Sequence, residues 1–178
     1  MRLRKAFDLC GCDRGFRHGY EAVYEPACKS WRWLLEVGIY KGAGIAAWLV
    51  HLPHIRVMGI DTFQRVPSKA IPLLCHDRVT WREGDSRTID VPGLFDAIID
   101  DGNHDPKAQR LTFLNLFHRL ERHGSYFIED CDPRKPGFDE LLEVIEPYNV
   151  THHDRRKTNQ PDSYILEIRS EQPLKQAA

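Results

Sequence analysis

The chain has 178 residues, 42% of them hydrophobic and 29% charged, and a formal net charge of -1. This is the composition of one globular domain long enough to bury a full core. Near-neutral charge gives no footprint for a nucleic acid partner beyond the local patch Arg155-Arg156-Lys157. No apolar run approaches the roughly twenty residues of a membrane span. The basic first residues are not followed by an apolar stretch of signal-peptide type. Five cysteines, Cys10, Cys12, Cys28, Cys75 and Cys131, stand at irregular spacings. Cys10 and Cys12 are too close for a zinc pair, so all five are read as reduced thiols of a cytoplasmic protein.

In chain order, residues 1–30 form a lead-in with one short helix expected over 20–28. Short runs rich in Val, Ile and Phe at 33–37, 55–60, 78–81, 95–99 and 125–128 read as buried strands. Between them lie helix candidates at 44–51, 68–76 and 107–122. The last carries Leu111, Leu114, Leu116 or Phe117, and Leu120 at helical spacing. Asp105-Pro106 supplies its capping residue and first-turn proline, and Gly124 its stop. Such alternation predicts an α/β fold, an open parallel sheet with helices on both faces. A helix over 137–145 and strands at 148–152 and 163–169, joined by the polar segment 154–162, predict a closing antiparallel hairpin. The main domain is thus placed at 31–170, and the polar residues 171–178 are expected to be a disordered tail.

Strand 33–37 runs into Glu36-Val37-Gly38-Ile39-Tyr40-Lys41-Gly42-Ala43-Gly44, a glycine-rich turn that lets a ligand lie against the backbone. The next strand ends at Asp61, placed to take both hydroxyls of a ribose. Gly42-Ala43-Gly44-Ile45-Ala46-Ala47 with Asp61 about twenty residues on also fits a dinucleotide fingerprint, which would bind NAD. Against that, Gly38 already turns the chain directly after the strand. The pattern Glu36-x-Gly38-x-x-x-Gly42-x-Gly44 resembles the first motif of class I methyltransferases, in which this turn faces the methionine half of S-adenosylmethionine. Asp85-Ser86 after the third strand falls where that fold contacts adenine, and Phe95–Asp100 resembles its fourth-strand motif. A purely structural turn also stays open.

The sharpest pattern is Asp100-Asp101-Gly102-Asn103-His104, paired with Glu129-Asp130 at the end of the following strand. Carboxylates directly after apolar strands collect at the carboxyl edge of the sheet, where open α/β folds bind ligands. Asp101, Glu129 and Asp130 would repel one another there unless a cation neutralised them. An all-oxygen set suits a hard ion such as Mg2+. His104, three residues beyond Asp101, could act as general base, because an alkyl hydroxyl is a poor nucleophile until a cation and a base help to ionise it. The plainer alternative is that these acids cap helices and pair with nearby arginines.

With Glu129 twenty-eight residues after Asp101, the run Asp100–His104 and the pair Glu129-Asp130 resemble the metal-dependent macrolide-sugar O-methyltransferases. The segment Asp13-Arg14-Gly15, His18-Gly19-Tyr20 and Tyr24-Glu25 is similar to one that folds over the cofactor in that family. The resemblance implies a Rossmann-like class I methyltransferase sheet of seven strands. It implies Mg2+ ligation by Asp101, Glu129 and Asp130, with His104 as base. It also implies cofactor contacts from His18, Tyr20, Glu36, Gly38, Tyr40, Gly42, Asp61, Asp85, Ser86 and Asp100. The expected reaction is methyl transfer from S-adenosylmethionine to a hydroxyl of a sugar or sugar-bearing small molecule. An NAD-dependent oxidoreductase and a non-catalytic binding module of the same fold are the alternatives. An oligomer is compatible with the sequence, and neither nucleic acid nor membrane is expected as a partner. Arg14 stands where the family usually has lysine, the turn after Gly38 is short, and so is the loop after Asp130.

Overall fold

The computed structural model describes residues 1–157 and 159–170, so the tail expected at 171–178 lies outside the described residues. A seven-stranded sheet organises the chain, built from β1 (Trp33–Val37), β2 (Arg56–Asp61), β3 (Val79–Glu83), β4 (Phe95–Asp100), β5 (Leu120–Ile128), β6 (Asn149–Asp154) and β7 (Tyr164–Arg169). Their order across the sheet is β3-β2-β1-β4-β5-β7-β6. β1 to β5 pair in parallel, while β7 is antiparallel to both β5 and β6. Six strands therefore point one way and β7 alone opposes them, with the hairpin as expected.

One face carries α1 (Leu3–Cys10), α2 (Asp13–Phe16), α3 (Glu21–Ala27) and α4 (Ala43–His51). Leu3, Phe7, Tyr24 and Trp48 pack there against Leu34 and Phe127. The other face carries α5 (Pro106–Leu116) and α6 (Phe138–Ile145), with Phe113, Leu116, Phe138 and Leu141 over Leu35, Ile98 and Tyr126. Among the described residues no helix is long and apolar enough to cross a membrane, and all five cysteines are free.

Four local readings need correction. The lead-in holds three helices rather than one, and the missed α1 buries Leu3, Ala6 and Phe7 on a single face. The helix expected over 68–76 is two separate 3-10 turns, Ser68–Ala70 and Pro72–Cys75. Pro72 has no N–H to continue a helix, and Ile71 before it lies outside the helical region at φ -118, ψ 86.

α5 starts at Pro106 under its Asp105 cap, whose Oδ1 accepts from the Lys107 and Ala108 N–H groups at 3.0 and 3.4 Å. It ends at Leu116, however, and its buried phase is Ala108, Gln109, Thr112, Phe113 and Leu116. Leu111 and Leu114 face solvent. The helix is phased by the edge-to-face contact of Phe113 with Tyr126 and by Gln109 bonding beneath the site, so the leucine spacing misled. Gly124, read as the helix stop, lies inside β5. A Cβ there would come within 2.8 Å of the Asp96 carbonyl oxygen, at the irregularity where the β4–β5 register shifts.

Candidate active site

Parallel register sets the site. Val37 pairs with Asp100 and Asp100 with Ile128, so the residues just past β1, β4 and β5 emerge side by side at one edge. Backbone bonds carry the register past the strands: the Asp101 N–H donates to the Val37 carbonyl at 3.0 Å and the Glu129 N–H to the Asp100 carbonyl at 2.9 Å.

Into this edge α2 inserts Arg14, 2% exposed. Its Nε donates to both oxygens of Glu129 at 2.8 and 3.0 Å, its Nη1 to Glu36 at 3.2 Å and its Nη2 to Asp101 Oδ2 at 2.9 Å. One guanidinium thus joins acids from three strand ends, a planar fork suited to such sharing. The glycines of the turn serve this network. A Cβ on Gly44 would overlap both Arg14 Nη1 and Glu36 Oε1, and one on Gly38, whose φ is +89, would overlap the Asp101 carbonyl oxygen.

The lead-in supplies further clamps. Tyr24 donates its hydroxyl to Glu129 Oε1, and Tyr20 donates to Asp130 Oδ1 at 2.5 Å. His18 Nδ1 lies 2.9 Å from Ser163 Oγ, with its ring tilted on that of Tyr20. Below, the fully buried Gln109 donates Nε2 to the Glu129 carbonyl at 2.9 Å. That carbonyl precedes Asp130, which is held in the left-handed region at φ 53. The structure therefore turns His18 and Tyr20, expected at the cofactor, toward Ser163 and Asp130.

Asp101, His104 and Asp130 each offer a ligand atom, and these atoms all lie within 4.8 Å of one another. His104 Nε2 is 3.3 Å from Asp101 Oδ1, and its Nδ1 is 3.6 Å from Asp130 Oδ2. Glu129, expected in this group, lies beside it but has its carboxylate occupied by Arg14 and Tyr24. Burial raises the pKa of Glu129, Asp130 and Glu36, an effect that Arg14 opposes at Glu129 and Glu36 and His104 at Asp130. Burial would depress His104, but its hydrogen bond to Asp101 and the surrounding acids win, lifting it to about 9. Asp100 Oδ1 accepts from the Gly102 N–H at 3.3 Å, inside the acid loop. Asp100 is buried, with no partner for Oδ2 among the described residues, and burial lifts it to about 7.

On the far side of the Gly38 turn, Asp61 Oδ2 accepts from the N–H groups of Ile39 and Tyr40 at 2.8 and 2.9 Å, and Oδ1 from Phe63 at 2.7 Å. Those bonds hold the left-handed Tyr40 and Phe63, at φ 48 and 52. A carboxylate has about four acceptor positions, so about one remains for a ligand hydroxyl rather than the two expected. Tyr40 is exposed and Gly42 starts α4 at φ 82. Asp85 is gripped by Arg87, and Ser86 bonds Thr112 at 2.9 Å. Both follow β3, with β2 and β1 between them and the acids. Glu36 is buried beside the turn, where Arg14 Nη1 and the Trp48 indole serve its carboxylate.

The order β3-β2-β1-β4-β5-β7-β6, with β7 reversed, departs from the all-parallel dinucleotide order. Two solved structures superpose on nearly the whole chain. One is MycE methyltransferase from the mycinamycin biosynthetic pathway in complex with Mg and SAH, at TM-score 0.76 and 20% identity over 100% of this chain and 57% of that one. The other is SAH-bound Podospora anserina methyltransferase PaMTH1, at TM-score 0.66 and 15% identity over 96% and 88%. This is the class I methyltransferase fold.

No family model matches the chain. Among curated proteins, this methyltransferase-fold chain resembles L-olivosyl-oleandolide 3-O-methyltransferase of Streptomyces antibioticus, 32% identical over 145 residues. It also resembles 8-demethyl-8-(2-methoxy-alpha-L-rhamnosyl)-tetracenomycin-C 3'-O-methyltransferase of Streptomyces olivaceus, 29% identical over 134 residues. These matches cover 73% and 65% of the chain but only 36% and 33% of the relatives, so the chain spans about a third of their length. The sequence reading placed Arg14 and Tyr24 in the segment expected over the cofactor but gave neither a role among the acids, and it missed Gln109. Gln109 carried no signal, because the leucine spacing put it off the expected core face of the helix.

Proposed function

We propose that this chain is an S-adenosylmethionine-dependent, Mg2+-dependent O-methyltransferase acting on a hydroxyl of a sugar or sugar-containing small molecule. The observation that carries the reading is the convergence of Asp101, His104 and Asp130 within 4.8 Å, one turn away from Gly38. The named reactions of the two sugar O-methyltransferases and the Mg and SAH in the MycE crystal support it, as does the donor set, which suits a hard cation.

S-adenosylmethionine, when bound, supplies a methyl group on sulfonium, an electrophile that requires a nucleophilic oxygen. Mg2+, when bound, supplies charge that lowers the proton affinity of a nearby hydroxyl. The chain's own residues do the rest. Asp101 and Asp130 hold the cation, Tyr20 and Gln109 fix Asp130, and Asp61 and the Gly38 turn hold the ribose and methionine ends of the donor. His104 accepts the hydroxyl proton on an imidazole nitrogen. Asp101 and Asp130 face both His104 and any cation, and one positive charge there disfavours the other, which favours the neutral imidazole a base must be. Alignment of acceptor oxygen, methyl and sulfur is a proximity effect.

Calorimetry with S-adenosylhomocysteine, followed by activity on sugar-bearing acceptors with chelator and Mg2+ added back, tests the reading. Binding plus activity that disappears and returns with the metal is the expected outcome. Binding of a nicotinamide cofactor instead points to an oxidoreductase, and binding of neither ligand to a non-catalytic module.

A further inference from the structure

Glu129 is the acid of the cluster turned furthest from a ligand. It is 1% exposed, both oxygens accept from Arg14 Nε, and Oε1 also accepts from Tyr24. The two aspartates are bound differently. Asp101 gives Oδ2 to Arg14 and keeps Oδ1 toward His104. Asp130 gives Oδ1 to Tyr20 and keeps Oδ2 toward His104. Each aspartate therefore presents one oxygen to the open side, and Glu129 presents none. The Arg14 guanidinium touches both Glu129 and Asp101, but it engages both oxygens of Glu129 and only Oδ2 of Asp101.

We propose that Arg14 is a positioning residue that withholds Glu129 from the cation, leaving a two-aspartate centre of Asp101 and Asp130 completed by water and acceptor. This rests on the metal-dependent reading above and departs from the ligand set the sequence resemblance implies. It accounts for the planar fork in the network. Arg14 engages both Glu129 oxygens and still reaches Glu36 and Asp101, which a lysine point charge does not reproduce.

The test loads the full chain with Mn2+ and reads carboxyl-carbon hyperfine coupling by electron–nuclear double resonance. One preparation is labelled with carboxyl-13C aspartate and another with carboxyl-13C glutamate. Strong coupling from the aspartate sample alone is expected. Strong coupling from the glutamate sample overturns the proposal. In Arg14→Lys, a glutamate coupling should appear as Glu129 is released; its continued absence in a folded variant overturns the role of Arg14. If Arg14→Lys does not fold, Glu129→Gln replaces it. That variant should bind Mn2+ more tightly than Asp130→Asn, and an equal loss in the two overturns the proposal. Failure of the wild type to bind Mn2+ at all would instead remove the metal-dependent reading beneath it.

Discussion

Gly38 lacks a side chain because the carbonyl oxygen of Asp101 occupies the place its Cβ would take. The first motif of the fold and the acid loop after β4 are therefore packed backbone against backbone, and the turn's φ of +89 adds a second demand for glycine. Gly38→Ala should cost at least about 2 kcal/mol of stability from strain and overlap together. It should also displace Asp101. Thermal unfolding and Mn2+ titration check the two halves, and a variant with wild-type Tm and metal affinity would contradict the packing account.

Asp61 joins two loops before any ligand arrives. Its carboxylate satisfies three backbone N–H groups, so Asp61→Ala removes more than a ligand contact. The turn at Tyr40 and Phe63 loses the bonds that offset its left-handed geometry, at about 1 kcal/mol per lost bond. S-adenosylhomocysteine affinity should fall by tenfold or more, and Tm should fall with it. Calorimetry and thermal unfolding separate this from a pure contact loss, which would weaken binding and leave Tm alone.

The sheet was legible because β1, β2, β4 and β5 are apolar runs ending in turn residues or acids, and period and punctuation agree there. The reversed hairpin followed from the polar interruption at 154–162. What sequence could not settle is phase and partnership. Leu111 and Leu114 look like the core face of α5, yet Gln109 and Thr112 take it because Phe113 and the Glu129 carbonyl fix the rotation. The acids after β4 and β5 were readable as a cluster. That Arg14, more than a hundred residues before Glu129 in the chain, sits among them is a long-range pairing with no local period or spacing to announce it.

His104 touches Asp101 and Asp130 without being needed to hold either loop, since both carboxylates have other donors. His104→Ala should therefore lower kcat by about a hundredfold or more, the usual worth of a general base. S-adenosylhomocysteine affinity should stay within about threefold, because a base acts on the barrier rather than on cofactor binding. Steady-state kinetics with calorimetry on the same preparation decides it. Unchanged kcat would remove His104 from the chemistry.

Away from the site, Glu167 on β7 offers a test of the fold alone. Its carboxylate accepts from Ser125 Oγ at 3.2 Å, His153 Nε2 at 2.9 Å and Arg169 Nε at 3.0 Å. Burial works to raise its pKa, but the bonds from His153 and Arg169 outweigh it and the net shift is downward. A carboxylate depressed in the folded state contributes stability that is present above its unfolded value, about 4.3, and lost as pH falls through the folded one. Arg169 is half exposed, so solvent screening holds the contribution to about 1 kcal/mol. Glu167→Gln keeps the Ser125 bond and loses the charge. Its Tm deficit should be full at pH 7 and shrink toward zero below about pH 4, with no dependence on added Mg2+ or cofactor. A deficit of equal size at both pH values would mean that Glu167 stabilises the hairpin by packing rather than by charge.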